Sequence, residues 1–382
     1  MSSHPDTFSV NNAWYSEEGA ENDVVLSTRV RLARNLANFA FPSPNRKEDA
    51  QRVQSLVFDV FSVMADSDRY QCVSLSQLEP VGRQLLVERG ILPEKDLPQR
   101  NINQIGLETI KNFDLDLGLV VRTDGRVSCL VNAIDHVRMA SFASGYEPRS
   151  AWQLCSELDL EMQKKIQFAA SYDFGFLTSE LVDSGSGMKM SAWVMVPALM
   201  QLRRIKETAE LLAKQNCTIT PALGNVSVPF GALGACYQVT ARSAFYENEE
   251  ELITDFTVAI SQLCATERKA RNEFYSTKPT VLQHLVCRML SIAKNSRFLD
   301  CSEAIEIISV LQLALGCGLL TGITYQDLHV LMFRVRNSCV DFLRRSSNFI
   351  FEDDVKDDVN LMIPRLRSFL VQEAVEDVKI CF

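Results

Sequence analysis

The chain has 382 residues, of which 47% are hydrophobic and 23% charged, and its net charge is −9. That length exceeds what one hydrophobic core usually holds, so we expect a globular protein of two domains. The acidic balance argues against nucleic acid or an anionic membrane as the main partner and favours basic protein segments. The most apolar stretch, 307–323, contains Gln312 and is predicted to be a buried helix rather than a membrane span.

The numbers and spacing of the cysteines and histidines also limit the kinds of site that we expect. Eleven cysteines occur without a Cys-x-x-Cys pair, and the four histidines lie far apart. This pattern argues against a zinc site or a disulfide framework and favours reduced thiols. The first residues lack the basic and apolar regions of a signal peptide. The sequence therefore predicts a cytoplasmic protein without a resident metal.

Residues 1–21 are polar and are predicted to form a flexible segment. Apolar and polar residues then alternate from Val25 to Leu32, which predicts a strand with Ser27, Arg29 and Arg31 on one side. Two guanidinium groups that point the same way suit a polyphosphate, because each offers a rigid fork of donors to phosphate oxygens. An edge strand with a charged solvent face explains the same pattern, and the alternation alone does not separate the two interpretations.

The remaining elements follow from periodicity. Apolar residues at helical spacing predict helices over 47–65, 81–89, 151–170, 195–214 and 252–274. Short apolar runs predict strands over 117–121, 127–131, 217–220 and 235–240, the first two joined by a tight turn at Asp124-Gly125. Beyond about residue 278, helical periodicity continues to the end. The predicted fold class is α+β, with a catalytic-type domain over 22–274 and an all-helical C-terminal domain over 275–382.

The arginine strand carries a resemblance to a known family. It reads Ser27-Thr28-Arg29-Val30-Arg31 and continues as Leu32-Ala33-Arg34-Asn35, with Phe41-Pro42 downstream. This resembles the nucleotide-binding signature of the ATP:guanidino phosphotransferases, or phosphagen kinases, and in particular their bacterial protein-arginine kinase branch. The resemblance implies an antiparallel sheet flanked by helices. It also implies transfer of the ATP γ-phosphate to arginine side chains of proteins, with Mg²⁺ carried by the nucleotide.

The resemblance extends to the residues that would hold the nucleotide. The segment Gly185-Ser186-Gly187-Met188-Lys189 is similar to the family's glycine-containing phosphate segment, with Lys189 where the family has arginine. Lysine keeps the charge without the bidentate fork. The positions that the resemblance implies for nucleotide contact are Ser27, Thr28, Arg29, Val30, Arg31, Arg138, Lys189 and Ser191.

The residues that would handle the acceptor are not retained. In the family a pair of glutamates grips the acceptor guanidinium and takes its proton, and the matching positions here are Ala133 and Ile134. Asp135 survives beside them, and Glu180 stands where the family has a cysteine close to the substrate. Glu180 and Asp135 are therefore the candidate substitutes for the lost catalytic carboxylates.

Two further family motifs have also lost their arginines. A third phosphate-binding motif corresponds to 220–225, and the motif that senses phosphoarginine corresponds to 356–361. The second lies beside the acidic residues Glu352-Asp353-Asp354, which would repel a phosphate. A solvated helix start explains those charges equally well.

Two functional hypotheses follow. The chain is either a protein-arginine kinase with impaired catalysis, or a nucleotide-binding pseudokinase that acts as a regulator or adaptor in protein quality control. The resemblance implies protein clients with exposed arginine, a zinc-binding activator protein, Clp-type degradation machinery, and a homodimer formed through the helical domain.

Overall fold

A computed structural model describes residues 13–43, 47–93, 117–224, 231–242 and 248–382. Its strands are β1 Val25–Arg34, β2 Tyr70–Ser74, β3 Gly118–Arg122, β4 Val127–Val131, β5 Val137–Ser144, β6 Ala170–Ser171, β7 Gly175–Phe176, β8 Met188–Met195, β9 Cys217–Pro221, β10 Cys236–Ala241, β11 Leu320–Thr321 and β12 Lys379–Ile380. Its helices are α1 Lys47–Ser62, α2 Pro80–Glu88, α3 Pro148–Gln163, α4 Pro197–Gln201, α5 Ile205–Lys214, α6 Glu249–Thr277, α7 Pro279–Asn295, α8 Cys301–Gly316, α9 Tyr325–Arg334, α10 Asn337–Ser346 and α11 Val359–Ala374.

An eight-stranded antiparallel sheet organises the first two thirds of the chain. Its strand order is β2-β3-β4-β5-β1-β8-β10-β9, so β1 lies in the middle, paired with β5 on one side and β8 on the other. The predicted hairpin at Asp124-Gly125 joins β3 to β4, and Gly125 has the positive φ of 71° that such a turn requires. The α+β fold class is confirmed.

The two faces of this sheet differ. Thr28, Val30 and Leu32 of β1 point to one face, where they are buried and α3 and α6 pack over the sheet. The alternate residues Arg29 and Arg31 point to the other face. The helices therefore bury the apolar face of β1 and leave its arginines on the opposite side.

The C-terminal third is helical apart from the two-residue strands β11 and β12. One hydrophobic cluster nevertheless runs from Val24 to Val378, across the predicted boundary at 274/275. The division into two domains therefore stays a prediction. Among the described residues, no helix is both long and apolar enough to cross a membrane.

Three local predictions need correction. Residues 13–21 are not loose where the structure describes them, because Trp14 and Tyr15 are buried against Phe142 and Phe333. The helix predicted over 195–214 is instead the end of β8 followed by α4 and α5, since Pro197 starts a new helix and Arg203 has φ +59°. The helix predicted over 151–170 begins earlier, at Pro148, and ends at Gln163.

Candidate phosphate-binding site

The sheet register brings the predicted phosphate ligands onto one face. Arg31 lies directly opposite Lys189 of β8, and Arg29 lies opposite Ser191. On the other side of β1, Arg138 of β5 lies opposite Ala33. Directly paired residues of an antiparallel sheet project to the same face with Cβ atoms about 5 Å apart. We call Arg29, Arg31, Arg138 and Lys189 the cation cluster.

The two β1 arginines are desolvated and repelled by a third arginine. Burial, with added repulsion from Arg138, lowers the pKa of Arg29 to about 10 and that of Arg31 to about 9. Both guanidinium groups remain charged at neutral pH, but burial makes the charged form less favourable than it is in water. Arg29 Nη1 donates to the carbonyl oxygen of Gly90 at 3.1 Å. A bound anion would offset the repulsion between these arginines. Unfavourably placed positive charges of this kind are expected at a phosphate site.

Arg138 and Lys189 complete the cluster. Arg138 is buried, its Nε lies 3.9 Å from Asp135 Oδ2, and this Nε has no hydrogen-bond partner among the described residues. Burial lowers the pKa of Lys189, and Asp183 opposes that effect. A buried donor without a hydrogen bond costs free energy, so Arg138 is available to an incoming acceptor.

The predicted nucleotide residues separate into two groups. Ser27 and Ser191 line a narrow cavity beside Arg29, together with Phe142, Trp193 and Phe333. Thr28 and Val30 are buried on the opposite face, where Thr28 Oγ1 donates to the carbonyl oxygen of Gly145 at 2.8 Å. Their side chains therefore build the sheet and do not reach the cation cluster.

The segment that carries the lost glutamates is the five-residue loop 132–136 between β4 and β5. Asn132 N donates to the carbonyl oxygen of His136 at 3.0 Å and closes the loop. Ala133 packs against an apolar cluster that includes Leu119 and Leu130. Ile134 is half-buried. Neither position offers a group that could hold a guanidinium.

Asp135 has a structural role. Its Oδ1 accepts from the backbone N of Ser179 at 2.7 Å and from Asn35 Nδ2 at 3.0 Å, and Arg138 lies beside its Oδ2. It is 2% exposed. This placement does not favour Asp135 as a catalytic base, because its carboxylate is buried, accepts two hydrogen bonds and faces Arg138.

Arg34, which is part of the same motif, has a structural role. It forms a two-pronged ion pair with Asp159, with Nε–Oδ1 3.0 Å and Nη2–Oδ2 2.8 Å, and it lies over the ring of Phe176. Its Nη1 donates to the carbonyl oxygen of Ser186 at 2.8 Å. Gly187 is required here, because a Cβ would come within 2.5 Å of Arg34 Nη1. Arg34 thus fixes the glycine-containing segment next to β1.

The structure places one carboxylate at the cation cluster that the sequence reasoning missed. Asp183 is 3% exposed, and its oxygens lie 3.6 Å from Arg31 Nη2 and 3.8 Å from Lys189 Nζ. Glu180, the predicted substitute base, is exposed at the start of the same turn. No sequence motif singles out Asp183; its proximity to Arg31 and Lys189 is evident only from the pairing of β1 with β8.

The other two family landmarks contribute nothing to the cation cluster within the described residues. Thr220 lies in β9 at the sheet edge, and Asn225 lies outside the described residues. Asp358 caps α11 by accepting from Asn360 N at 2.9 Å, and Glu352 pairs with Arg365. Asp358 therefore caps the start of α11, whereas Glu352, Asp353 and Asp354 lie in the turn that precedes this helix.

Among the described residues, no group of three or more His, Cys, Asp or Glu side chains is arranged to hold a metal.

Comparison with known proteins places the chain among guanidino kinases. The sequence profile of the ATP:guanido phosphotransferase C-terminal catalytic domain matches residues 52–270. The protein-arginine kinase of Desulforamulus reducens is 30% identical over 81% of this chain and 83% of its own length. The protein-arginine kinase of Pelotomaculum thermopropionicum is 28% identical over 86% of this chain and 89% of its own.

Solved structures give the same fold. The duplicated taurocyamine kinase of Schistosoma mansoni, with bound transition state analog components, matches with a TM-score of 0.55 and 19% identity. The match covers 72% of this chain and 38% of that duplicated chain. A lombricine kinase matches with a TM-score of 0.53 and 14% identity, over 68% of this chain and 70% of its own. At these identities the likeness concerns the fold alone.

Proposed function

Because the chain belongs to the ATP:guanido phosphotransferase family, in its bacterial protein-arginine kinase branch, we propose that it binds Mg-ATP and Mg-ADP on the cation cluster. The family reaction is phosphoryl transfer from ATP, for which positive charge must surround the phosphates. The observation that carries the proposal is the convergence of Arg29, Arg31, Arg138 and Lys189 on one face of the sheet. Ser27 and Ser191 lie beside Arg29 and offer hydroxyl groups to the same ligand.

We further propose that transfer to arginine is impaired and that the chain acts as a nucleotide-responsive pseudokinase. An acceptor guanidinium holds its proton with a pKa of about 12.5–13.8 and needs a carboxylate to orient and deprotonate it. Ala133 and Ile134 supply none, Asp135 is occupied, and Asp183 faces cations. Loss of a general base lowers a rate by about 10²–10⁴.

Residual catalysis is the second candidate. Glu180 is exposed and contributes to the electrostatic field at Lys189. It is the one carboxylate near the cluster, among the described residues, that is neither buried nor ion-paired. If an arginine-bearing segment lies on this face, Glu180 is the group that would hold it.

The partners proposed are proteins with exposed arginine, with a zinc-binding activator and Clp-type degradation machinery implied by the family branch. The acidic net charge of −9 supports attraction of basic segments. Exposed apolar side chains also suit a protein ligand. They are Tyr172 and Phe174, between β6 and β7, and Leu181 and Val182, in the turn before β8. A homodimer and a cytoplasmic location remain part of the same proposal.

Calorimetric titration with Mg-ADP and Mg-ATP tests the nucleotide proposal. Binding at a hundred times the dissociation constant should stabilise the fold by about 2.7 kcal/mol. Arg29→Ala should weaken the affinity by about 1.5–3 kcal/mol, the range for hydrogen bonds to charged groups. The matched control is Arg149→Ala, which removes an exposed arginine paired with Glu250. Absence of both heat and thermal shift with the wild type would overturn the proposal.

A further inference from the structure

Asp183 lies beside two members of the cation cluster, Arg31 and Lys189. It is the last residue of a 3-10 turn, Leu181–Asp183, in which Leu181 is 89% exposed while Asp183 is 3% exposed. Burial of one carboxylate in an otherwise exposed turn requires compensation. Arg31 Nη2 at 3.6 Å and Lys189 Nζ at 3.8 Å supply it. The charge of Asp183 therefore holds the turn against the sheet.

Ion pairing alone holds this carboxylate. Both distances exceed hydrogen-bonding range, and no hydrogen bond to the Asp183 side chain occurs among the described residues. Arg31 and Lys189 are directly paired across β1 and β8, so the carboxylate spans two cations that project side by side. A phosphoryl group, with its tetrahedral oxygens, would make its contacts in this same place.

We propose that Asp183 is an internal competitor for the phosphate position and that it sets the affinity and charge selectivity of the cluster. The inference rests on the proposed nucleotide function and adds its regulation. An anion reaches Arg31 and Lys189 only when the Asp183 carboxylate withdraws, because like charges in one desolvated place repel strongly. The site therefore prefers highly charged polyphosphates over anions of lower charge. It also binds every anion more weakly than the same cations would without Asp183.

The turn is built so that it can withdraw. Two backbone hydrogen bonds hold the chain just after the turn. Phe176 N donates to the carbonyl oxygen of Gly185 at 2.8 Å, and Gly185 N donates to the carbonyl oxygen of Phe176 at 3.1 Å. Leu181 and Val182 are exposed, so moving the turn uncovers little apolar surface. The ends of the turn are also held by Thr178, whose Oγ1 donates to the carbonyl oxygen of Glu180 at 2.7 Å and lies 3.1 Å from Ser184 Oγ. Withdrawal of the Asp183 side chain breaks the two ion pairs while these hydrogen bonds at the ends of the turn stay in place.

Inorganic tripolyphosphate without metal is the probe, because it reports on the anion position independently of any base or magnesium contact. Asp183→Asn keeps the shape of the side chain and removes its charge. We expect it to bind tripolyphosphate about tenfold more tightly, or better, than the wild type in calorimetry. Asp173→Asn, which makes the same change at an exposed position nearby, should match the wild type.

The outcomes separate this inference from the nucleotide proposal. Equal affinity of Asp183→Asn and wild type for tripolyphosphate overturns the inference, whatever ATP does. Weaker binding by Asp183→Asn, seen only with Mg²⁺, also overturns it, because the carboxylate would then be a metal ligand. Tighter tripolyphosphate binding without any ATP binding supports the inference and refutes the nucleotide site. If Asp183→Asn does not fold, Asp183→Ser is measured against the same criterion.

Discussion

Asn35 and Asp135 form a buried hydrogen bond, with Asn35 Nδ2 donating to Asp135 Oδ1 at 3.0 Å. The same amide accepts from the backbone N of His136 at 2.9 Å through its Oδ1. His136 Nδ1 in turn accepts from the backbone N of Leu36 at 3.1 Å. These contacts fasten the loop 132–136 to the end of β1. Asp135 and His136 therefore have a structural reason to persist where the glutamates are lost.

Asp135→Asn should destabilise the fold by about 1–3 kcal/mol. An amide oxygen can still accept from Asn35 and Ser179 N, but the substitution removes the charge that faces the buried Arg138 and places an NH₂ group beside its Nε. Urea unfolding measures the change, and Mg-ADP affinity should be nearly unaffected. The exposed variant Asp173→Asn provides the control, with a change within about 0.5 kcal/mol. Full stability combined with loss of phosphoryl transfer would instead identify Asp135 as a base.

The arginine strand was predictable because a strand has a period of two residues. Alternation in β1 placed Arg29 and Arg31 on one face and Val30 on the other, and the structure confirms this. The hairpin at Asp124-Gly125 was predictable because a tight turn needs a residue that tolerates positive φ. Both signals depend only on residues that are close together in the chain, so a single sequence is enough to reveal them.

Contacts between distant residues were not predictable in this way. Trp14 stacks on Phe142 and meets the edge of Phe333, 319 positions later in the chain, so residues that looked like a loose tail are part of the core. The position of Asp183 depends on the pairing of β1 with β8, which no periodicity reveals. The sequence points to Glu180 because it stands where the family has a cysteine close to the substrate, and nothing local to Asp183 predicts its position beside two cations.

Two arginines of one motif should respond oppositely to substitution. Arg34→Ala should cost about 3–5 kcal/mol of folding free energy, because it leaves Asp159 buried and unpaired. Arg31→Ala should cost less stability than Arg34→Ala, since Asp183 keeps Lys189 as an ion-pair partner and repulsion from Arg29 and Arg138 is relieved. It should weaken nucleotide binding by about 1.5–3 kcal/mol. Denaturant unfolding and calorimetry on both variants provide the test, and a reversed pattern would contradict the division of roles.

Stability should fall in acid because of two buried histidines. Burial lowers the pKa of His136 and of His329 to about 4, against about 6.5 in the unfolded chain. As pH falls below 6.5, the unfolded state takes up protons first, so the free energy of unfolding decreases until the folded histidines titrate near 4. At about pH 5 each histidine should account for a loss of about 2 kcal/mol relative to neutral pH.

Urea unfolding at neutral pH and near pH 5 measures this dependence. His136→Gln should remove one histidine's share of the pH dependence, although it lowers stability at neutral pH by disturbing the contact with Leu36 N. His284→Gln is the control, since His284 is exposed. An unchanged pH dependence in His136→Gln would show that His136 does not titrate differently in the two states.

Glu180→Gln tests whether residual catalysis exists. The substitution removes charge and keeps shape, and Glu180 is exposed, so folding should be unaffected within about 0.5 kcal/mol. Any transfer of labelled γ-phosphate to an arginine-rich protein should be lost, while Mg-ADP binding stays nearly unchanged. Transfer that survives in full in Glu180→Gln would exclude Glu180 as the substitute base.

The double variant Ala133→Glu/Ile134→Glu tests whether the missing carboxylates alone account for the lost chemistry. Two glutamates on the loop 132–136 would restore an acceptor grip next to Arg138, and transfer of labelled γ-phosphate should rise by about 10²–10⁴. Because Ala133 packs against Leu119 and Leu130, the variant should lose about 1–3 kcal/mol of stability. Ala133→Gln/Ile134→Gln carries the same steric load without charge and should show no gain. A gain in both variants would mean that loop shape is responsible; a gain in neither, with nucleotide still bound, would place the block elsewhere, first at Asp183.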